Sequence, residues 1–206
     1  MKGLLKKDLY MIWAYGRMLL MISAVFLAMS AFVPTEENFF FVIYPVLLGG
    51  VLPVTLLSYD ERFGWNRYCD ALPITRRQVV DERYLMSLLS FLALYVLTLL
   101  VQALVLLPKG RGEDLLELAG LLPCLGLVAP ALMLPITLRW GVEKGRILYY
   151  FIIGVIVAAG LVFSSDFIGP GKAIGRWGTA AVLLVSVVFF AASWLLSVKL
   201  YEKREL

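Results

Sequence analysis

The residues best suited to chemistry are concentrated in one stretch, SYDERFGWNRYCDALPITRRQVVDERY, which runs from Ser58 to Tyr84. Between Asp60 and Arg83 this stretch carries ten charged residues, five acidic and five basic, together with Trp, Phe and Tyr. Long apolar runs lie on both sides of it. Aromatic anchors surrounded by charges are typical of a surface that binds another macromolecule, because the rings supply affinity and the charges set the register.

Catalytic and metal chemistry have little support elsewhere in the sequence. The chain has no histidine, so a Ser–His or Cys–His nucleophile cannot be assembled. Cys69 and Cys124 fall in different environments and form no cluster, so neither a disulfide nor a zinc or haem site is expected. The segment GPGKAIG (Gly169–Gly175) lacks both the first glycine and the hydroxyl residue of a phosphate-binding loop. We therefore expect a protein that is not an enzyme and holds no cofactor of its own.

The composition indicates the class of protein to which these residues belong. Of 206 residues, 61% are hydrophobic and 17% are charged, and the mean hydropathy is +0.86. A soluble domain of this size has too little interior to bury so much apolar surface. A bilayer core needs about 20 apolar residues per helix. We predict an all-α, polytopic membrane protein in which residues 1–206 form one transmembrane domain. The sequence contains six candidate spans: Met18–Val33, Phe39–Tyr59, Leu85–Leu107, Leu115–Leu138, Ile147–Phe163 and Gly178–Leu200.

Prolines interrupt two of these spans. The second contains Pro45 and Pro53, and the fourth contains Pro123, Pro130 and Pro135. Proline removes a backbone hydrogen bond and kinks a helix, although neighbouring helices can satisfy the freed carbonyl groups. The kinks either shape the packing of the bundle or line a path for a substrate.

Polar side chains are scarce within the predicted spans. Gln102 in the third span is the strongest polar group at depth, and a hydrogen bond to another helix is the simplest role for it. The span centres contain essentially no ionisable residues, which argues against a protein driven by a proton or ion gradient. If this protein moves a substrate, the energy comes from elsewhere.

The distribution of basic residues predicts the orientation. With the N-terminus in the cytoplasm, the inner segments hold 15 of the 19 lysines and arginines, and the first outer turn, PTEEN, is purely acidic. Both termini and the charged stretch then lie on the cytoplasmic side of the plasma membrane. The net charge of +4 is explained by topology and by contact with anionic lipid head groups, so no nucleic-acid partner is expected.

The charged stretch, residues 60–84, reads as a cytoplasmic loop with two helical parts. Ser58 or Asp60 can cap a helix over Glu61–Ala71, on which Trp65, Tyr68, Cys69 and Leu72 form one apolar stripe. Pro73 ends this helix, and the capping box TRRQ (Thr75–Gln78) opens a second helix that continues into the third span. The first helix either lies flat in the head-group layer or docks on a cytoplasmic partner.

The arrangement resembles the ABC-2-type permeases, the membrane subunits of ATP-driven exporters. The most specific match is YDERFGWNRYCDALPITRRQVV, between the second and third spans. A short basic amphipathic segment before the first span, MKGLLKKDLYMIWAYGR (residues 1–17), and the six-span layout are also similar to that family. The resemblance covers essentially the whole chain.

This resemblance implies partners and roles that the residues alone do not show. In the family, the loop between spans two and three contains a coupling helix that inserts into a separate ATPase subunit. The resemblance thus implies two ATPase subunits, which bind the ATP and Mg²⁺, and a second permease copy or a close paralogue. It also suggests export of a peptide, including amphipathic toxins. Residues carried over as ATPase-coupling are Asp60, Glu61, Arg62, Trp65, Asn66, Arg67 and Tyr68.

Two alternatives stay open at this point. The second inner loop, RWGVEKGR (Arg139–Arg146), is either a topology anchor or a weaker ATPase contact through Glu143 and Lys144. The whole chain is either a transport subunit or a non-transporting membrane scaffold or sensor. A neighbouring reading frame with the motif GxxxxGK[ST] would favour the transport subunit.

Overall fold

The computed structural model describes residues 2–32, 39–65, 75–147, 150–151 and 176–202. Within these ranges every regular element is helical, so the predicted all-α class is confirmed. The elements in chain order are α1 (Lys2–Tyr15), α2 (Arg17–Phe32), α3 (Phe39–Arg62), α4 (Arg76–Leu106), a 3₁₀ turn (Leu107–Lys109), α5 (Gly112–Trp140) and α6 (Arg176–Glu202). Residues 142–147 are also helical.

Four of these helices are long and apolar enough to cross a membrane: Phe40–Arg62, Arg76–Lys109, Gly112–Trp140 and Leu183–Tyr201. Helices α1 and α2 bend by 66° at Gly16 and provide a fifth span if the pair counts as one. The predicted fifth span, Ile147–Phe163, lies almost wholly outside the described residues. The count of six spans therefore stays a prediction.

Helix α5 is the central helix of the bundle and packs against α3, α4 and α6. It runs without interruption through Pro123, Pro130 and Pro135, and α3 likewise contains Pro45 and Pro53. Residues of α5 contribute to both apolar clusters of the core, one centred on Leu134 and Leu138 and the other on Leu122 and Leu127. The prolines are thus accommodated in continuous helices that neighbouring helices surround.

Two glycines allow α3 to approach its neighbours closely. A Cβ atom on Gly50 would lie 2.6 Å from the backbone oxygen of Gly126 in α5 and 3.0 Å from the ring of Pro130. A Cβ atom on Gly49 would lie 3.0 Å from the backbone oxygen of Ser90 in α4. Side chains larger than hydrogen at these positions would push the helices apart, because packed interiors have little free volume.

The boundaries around the charged stretch differ partly from those predicted. Helix α3 does not end at Tyr59 but continues to Arg62, where Gly64 follows with a φ of +69°. The prediction that a separate helix begins at Glu61 is therefore wrong about the start of that helix, because Asp60 and Glu61 belong to the last turn of α3. The remainder of the predicted helix, residues 66–71, lies outside the described residues.

The predicted capping box is confirmed. The backbone N–H of Gln78 donates to the Thr75 hydroxyl at 3.3 Å, and the Thr75 N–H donates to the Gln78 side-chain oxygen at 3.1 Å. These two bonds satisfy backbone donors that the first turn of a helix leaves unpaired. Helix α4 therefore begins at Arg76 and runs continuously into the predicted third span.

The predicted role of Gln102 is also confirmed. Its side-chain amide donates to the Ser30 hydroxyl at 3.0 Å, and both residues are buried. The bond joins α4 to α2 at a depth where water cannot replace either partner.

Candidate functional site

Segments that are distant in sequence meet at one end of the bundle. The first helix and the end of α3 are joined where the Lys7 ammonium group donates to Asp60 at 2.7 Å. The segment after α5 is joined to α3 where Arg146 donates to the Ser58 hydroxyl at 3.3 Å. Tyr201, near the end of α6, lines a small cavity at the same end. The segments that the basic residues assign to one side thus share one end of the bundle, while the face of the membrane that it occupies stays a prediction.

Five charged side chains form a buried ionic cluster at this end: Lys7, Asp8, Asp60, Glu82 and Arg83. The two terminal nitrogens of the Arg83 guanidinium bind different helices, since one donates to Asp8 Oδ2 at 2.6 Å and the other to Asp60 Oδ2. Its Nε lies 3.3 Å from Glu82 Oε2. Asp8, Asp60, Glu82 and Arg83 are all 3% exposed or less. The ionic cluster ties α1, α3 and α4 together with contacts that water screens little.

Helix α1 carries Lys7 and Asp8 into the cluster because one of its faces packs on the bundle. Leu4, one turn before Asp8, is buried, and the Tyr15 ring stacks on Tyr59 of α3 with centroids 4.6 Å apart. The opposite face exposes Leu9, Tyr10 and Trp13. This distribution suits a helix with one side on protein and the other in the head-group layer, as the amphipathic pattern of residues 1–17 predicts.

The sequence reasoning missed most of this cluster. From the sequence, Lys7 is one of the basic residues that set the topology, and Asp8 has no role. Glu82 and Arg83 are predicted to lie in a cytoplasmic loop. The contacts that join the helices connect residues 23 to 75 apart in the sequence, and no local periodicity reports such contacts. The available signal was the position of Glu82 and Arg83 inside the helix that the capping box opens, directly before the apolar run.

Glu61 binds the start of another helical segment. Its carboxylate accepts a hydrogen bond from the backbone N–H of Val142 at 3.0 Å, directly after Gly141, which has a φ of +85°. Residues 142–147 are helical, so the carboxylate lies at the positive end of that helical segment. The sequence predicts Glu61 as the first residue of a helix after the second span, whereas its carboxylate caps the helical segment that follows α5.

The remaining residues carried over as ATPase-coupling divide into three groups. Arg62 is exposed, and so is its neighbour Phe63, at 67%. Trp65 is half-buried, with the Lys7 ammonium group 4.3 Å from the centroid of its ring. Asn66, Arg67 and Tyr68 lie outside the described residues. Glu143 and Lys144, in the second loop, are both exposed. Phe63 is thus a large exposed side chain of this end that the sequence reasoning did not single out.

Long apolar helices around a proline-containing central helix, with a buried ionic cluster at one end, define a polytopic α-helical membrane protein. The chain belongs to the ABC-2 family of transporter proteins, whose family model, "ABC-2 family transporter protein", matches residues 3–202. It is therefore a membrane component of an ABC transporter. No curated protein and no solved structure gives a significant match.

Proposed function

We propose that this chain is the permease subunit of an ABC exporter and that a separate ATPase subunit, present in two copies, supplies the energy. Family membership together with the exposed end of α3 carries this proposal. The sequence contains no complete phosphate-binding loop, so nucleotide binding is assigned to the partner. A second permease copy, or a close paralogue, would complete the transport path between the two membrane subunits.

The connection between α3 and α4 is the proposed coupling element. Arg62 and Phe63 lie exposed where it leaves α3, and α4 begins just after it, at Arg76. An exposed aromatic ring next to a cation fits the chemistry of an anchor in a partner's cleft. We assign the ATPase-binding surface to Arg62, Phe63, the outer face of Trp65 and, by resemblance to the family, Asn66, Arg67 and Tyr68.

The contacts next to this connection can transmit its movement to the helices within the membrane. Asp60, in the last turn of α3, is bound by Arg83 of α4, so a force on the connection acts on both helices together. Glu61 ties the same turn to the segment after α5. Closure of the two ATPase subunits on ATP would in this way reach α3, α4 and α5 as one unit. Asp60 and Glu61 accordingly act as coupling residues through contacts inside the permease.

The substrate class rests on the family resemblance alone. Small permeases of this type serve exporters of peptides, and an amphipathic peptide would suit a path between apolar helices. The plasma membrane, with both termini in the cytoplasm, is the location that we propose.

The test is co-purification with the ATPase encoded beside this gene, identified by the motif GxxxxGK[ST]. Phe63→Ala should leave the permease inserted and folded but weaken its recovery with the ATPase about thirty-fold, since hot-spot losses are about 2 kcal/mol or more. Phe32→Ala is the matched control, because Phe32 is an even more exposed phenylalanine, at the far end of α2. Equal recovery of both variants would refute docking at this end. Absence of any such ATPase gene would favour the membrane scaffold.

A crosslinking experiment separates the two cytoplasmic loops. Cysteines introduced by Arg62→Cys and Glu143→Cys replace exposed side chains, so neither substitution disturbs a buried contact. We expect strong crosslinking to the ATPase from position 62 and little from position 143, which would then serve as a topology anchor. Equal crosslinking from both positions would mean that the second loop contacts the ATPase as closely as the first.

A further inference from the structure

Among the residues that the structure describes, the ionic cluster contains one more acid than it has cations. Its acids are Asp8, Asp60 and Glu82, and its cations are Lys7 and Arg83. With all five ionised it would carry a net charge of −1 in a site where every member except Lys7 is fully buried. A buried charge without a counter-charge is strongly unfavourable, and such groups neutralise instead.

The contacts identify the acid with the least compensation. Asp60 receives both the Lys7 ammonium group and a terminal nitrogen of Arg83. Asp8 receives the other terminal nitrogen of Arg83 at 2.6 Å. Glu82 has only the Arg83 Nε, at 3.3 Å and without hydrogen-bond alignment, and neither of its oxygens has a hydrogen-bond donor among the described residues. Glu82 is therefore the acid that lacks a positive partner of its own.

One carboxylate oxygen of Asp8 also lacks a hydrogen-bond donor among the described residues. Asp8 Oδ1 has the Lys7 ammonium group 3.0 Å away, but within the described part of the chain no donor is aligned with it. The carboxyl groups of Asp8 and Glu82 are neighbours on the same guanidinium group, because Arg83 binds Asp8 Oδ2 at 2.6 Å and its Nε lies 3.3 Å from Glu82 Oε2. Two ionised carboxylates are both acceptors and repel, so the contact is favourable only when one of them carries a proton.

The geometry points to a proton-binding site at Glu82, in which the protonated Glu82 carboxyl donates a hydrogen bond to Asp8 Oδ1. One proton both brings the cluster to neutrality and supplies the missing donor. It also adds a link between α1, which carries Asp8, and α4, which carries Glu82. Lys7 is one-fifth exposed, so the cluster reaches water at this end of the bundle and can exchange the proton there.

Loss of the proton has a definite consequence for α1. Glu82 would release it to water and become a carboxylate beside Asp8, and within the described part of the chain Lys7 and Arg83 would face three negative charges. The attachment of α1 to the bundle weakens in that state, so the contribution of the site is present at lower pH and is lost as the pH rises. The inference concerns the permease alone and does not depend on where an ATPase binds.

Infrared spectroscopy of the purified protein in a detergent without ester groups tests the site directly. The parent should show the C=O stretching band of a protonated carboxyl group at neutral pH, and Glu82→Gln should lack it. Glu113→Gln is the matched control, because Glu113 is an exposed glutamate at the start of α5, and it should retain the band. A parent without the band, or a band that survives Glu82→Gln, would overturn the assignment.

A substitution at Asp8 tests whether charge balance, rather than burial alone, keeps Glu82 protonated. Asp8→Asn leaves two acids for two cations, so Glu82 should ionise and the band should disappear although Glu82 is still present. A band that persists in Asp8→Asn would show that Asp8 is not its partner. Glutamate labelled with a heavy carbon isotope should shift the band of the parent, and this measurement needs no variant to fold.

The pH dependence of unfolding supplies an independent readout. The relevant pH range is the one in which the unfolded chain has released the Glu82 proton and the folded protein still holds it. There the unfolding equilibrium constant of the parent should increase by up to tenfold per pH unit relative to Glu82→Gln, since a single proton is linked to folding. Parallel pH profiles for the two proteins would contradict the proposal.

Discussion

Removal of the Arg83 side chain is the most demanding test of the ionic cluster. In Arg83→Leu an apolar side chain replaces the cation that binds Asp8 and Asp60 together. Among the described residues, Lys7 is then the cation that remains for both acids, and it is itself partly exposed. Removing one partner of a buried ion pair typically destabilises a protein by about 3–5 kcal/mol, because the remaining charge stays buried without compensation.

The matched control uses an arginine in a different environment. Arg111 pairs with Asp114 at the start of α5, where the two side chains are 43% and 41% exposed. Exposed pairs contribute about 0–1 kcal/mol, so Arg111→Leu should change the free energy of unfolding by no more than that. Both variants are compared by unfolding in mixed micelles of increasing denaturing-detergent content, followed by tryptophan fluorescence.

A combined variant separates the loss of charge compensation from the loss of packing. Asp8→Asn and Asp60→Asn, added to Arg83→Leu, remove the two acids that were left unpaired. Most of the lost stability should then return, since the two carboxylates that Arg83 compensated are removed together with it. If Arg83→Leu is as stable as Arg111→Leu, the cluster does not hold α1, α3 and α4 together. If the combined variant is no better than Arg83→Leu alone, the cost arises from packing.

Gly50→Ala should destabilise the bundle by about 1–3 kcal/mol in the same unfolding assay, because the new methyl group would lie 2.6 Å from a backbone oxygen of α5. Gly112→Ala has open space around the added carbon and should be nearly neutral, so equal losses would contradict the close packing of α3 on α5. A double-mutant cycle on Gln102 and Ser30 should give a coupling energy of about 0.6 kcal/mol, the average for hydrogen bonds between membrane helices. Strictly additive losses would mean that the 3.0 Å bond contributes nothing. In a chain without its native cysteines, Arg76→Cys should resist labelling from outside intact cells, and labelling there would reverse the predicted orientation.

The sequence by itself determined the class of the protein and much of its local structure. Long apolar runs require membrane helices because the bilayer core cannot solvate an exposed backbone, and this argument needs no knowledge of contacts. The start of α4 at Arg76 was predictable, since Thr75 and Gln78 satisfy each other's backbone donors within four residues. The partner of Gln102 was predictable in kind, as another helix, although Ser30 itself was not.

Only the tertiary structure decided the end of α3 and the contacts around it. Locally, Asp60 reads equally well as a helix cap or as part of a helix, and its pairing with Arg83 and Lys7 favours the continuous helix. Glu61 likewise finds its helix N-terminus 81 residues further along the chain. The balance of three acids against two cations exists only where α1, α3 and α4 meet. Contacts between side chains so far apart depend on how helices pack, and helix packing leaves no periodic signal in the neighbouring sequence.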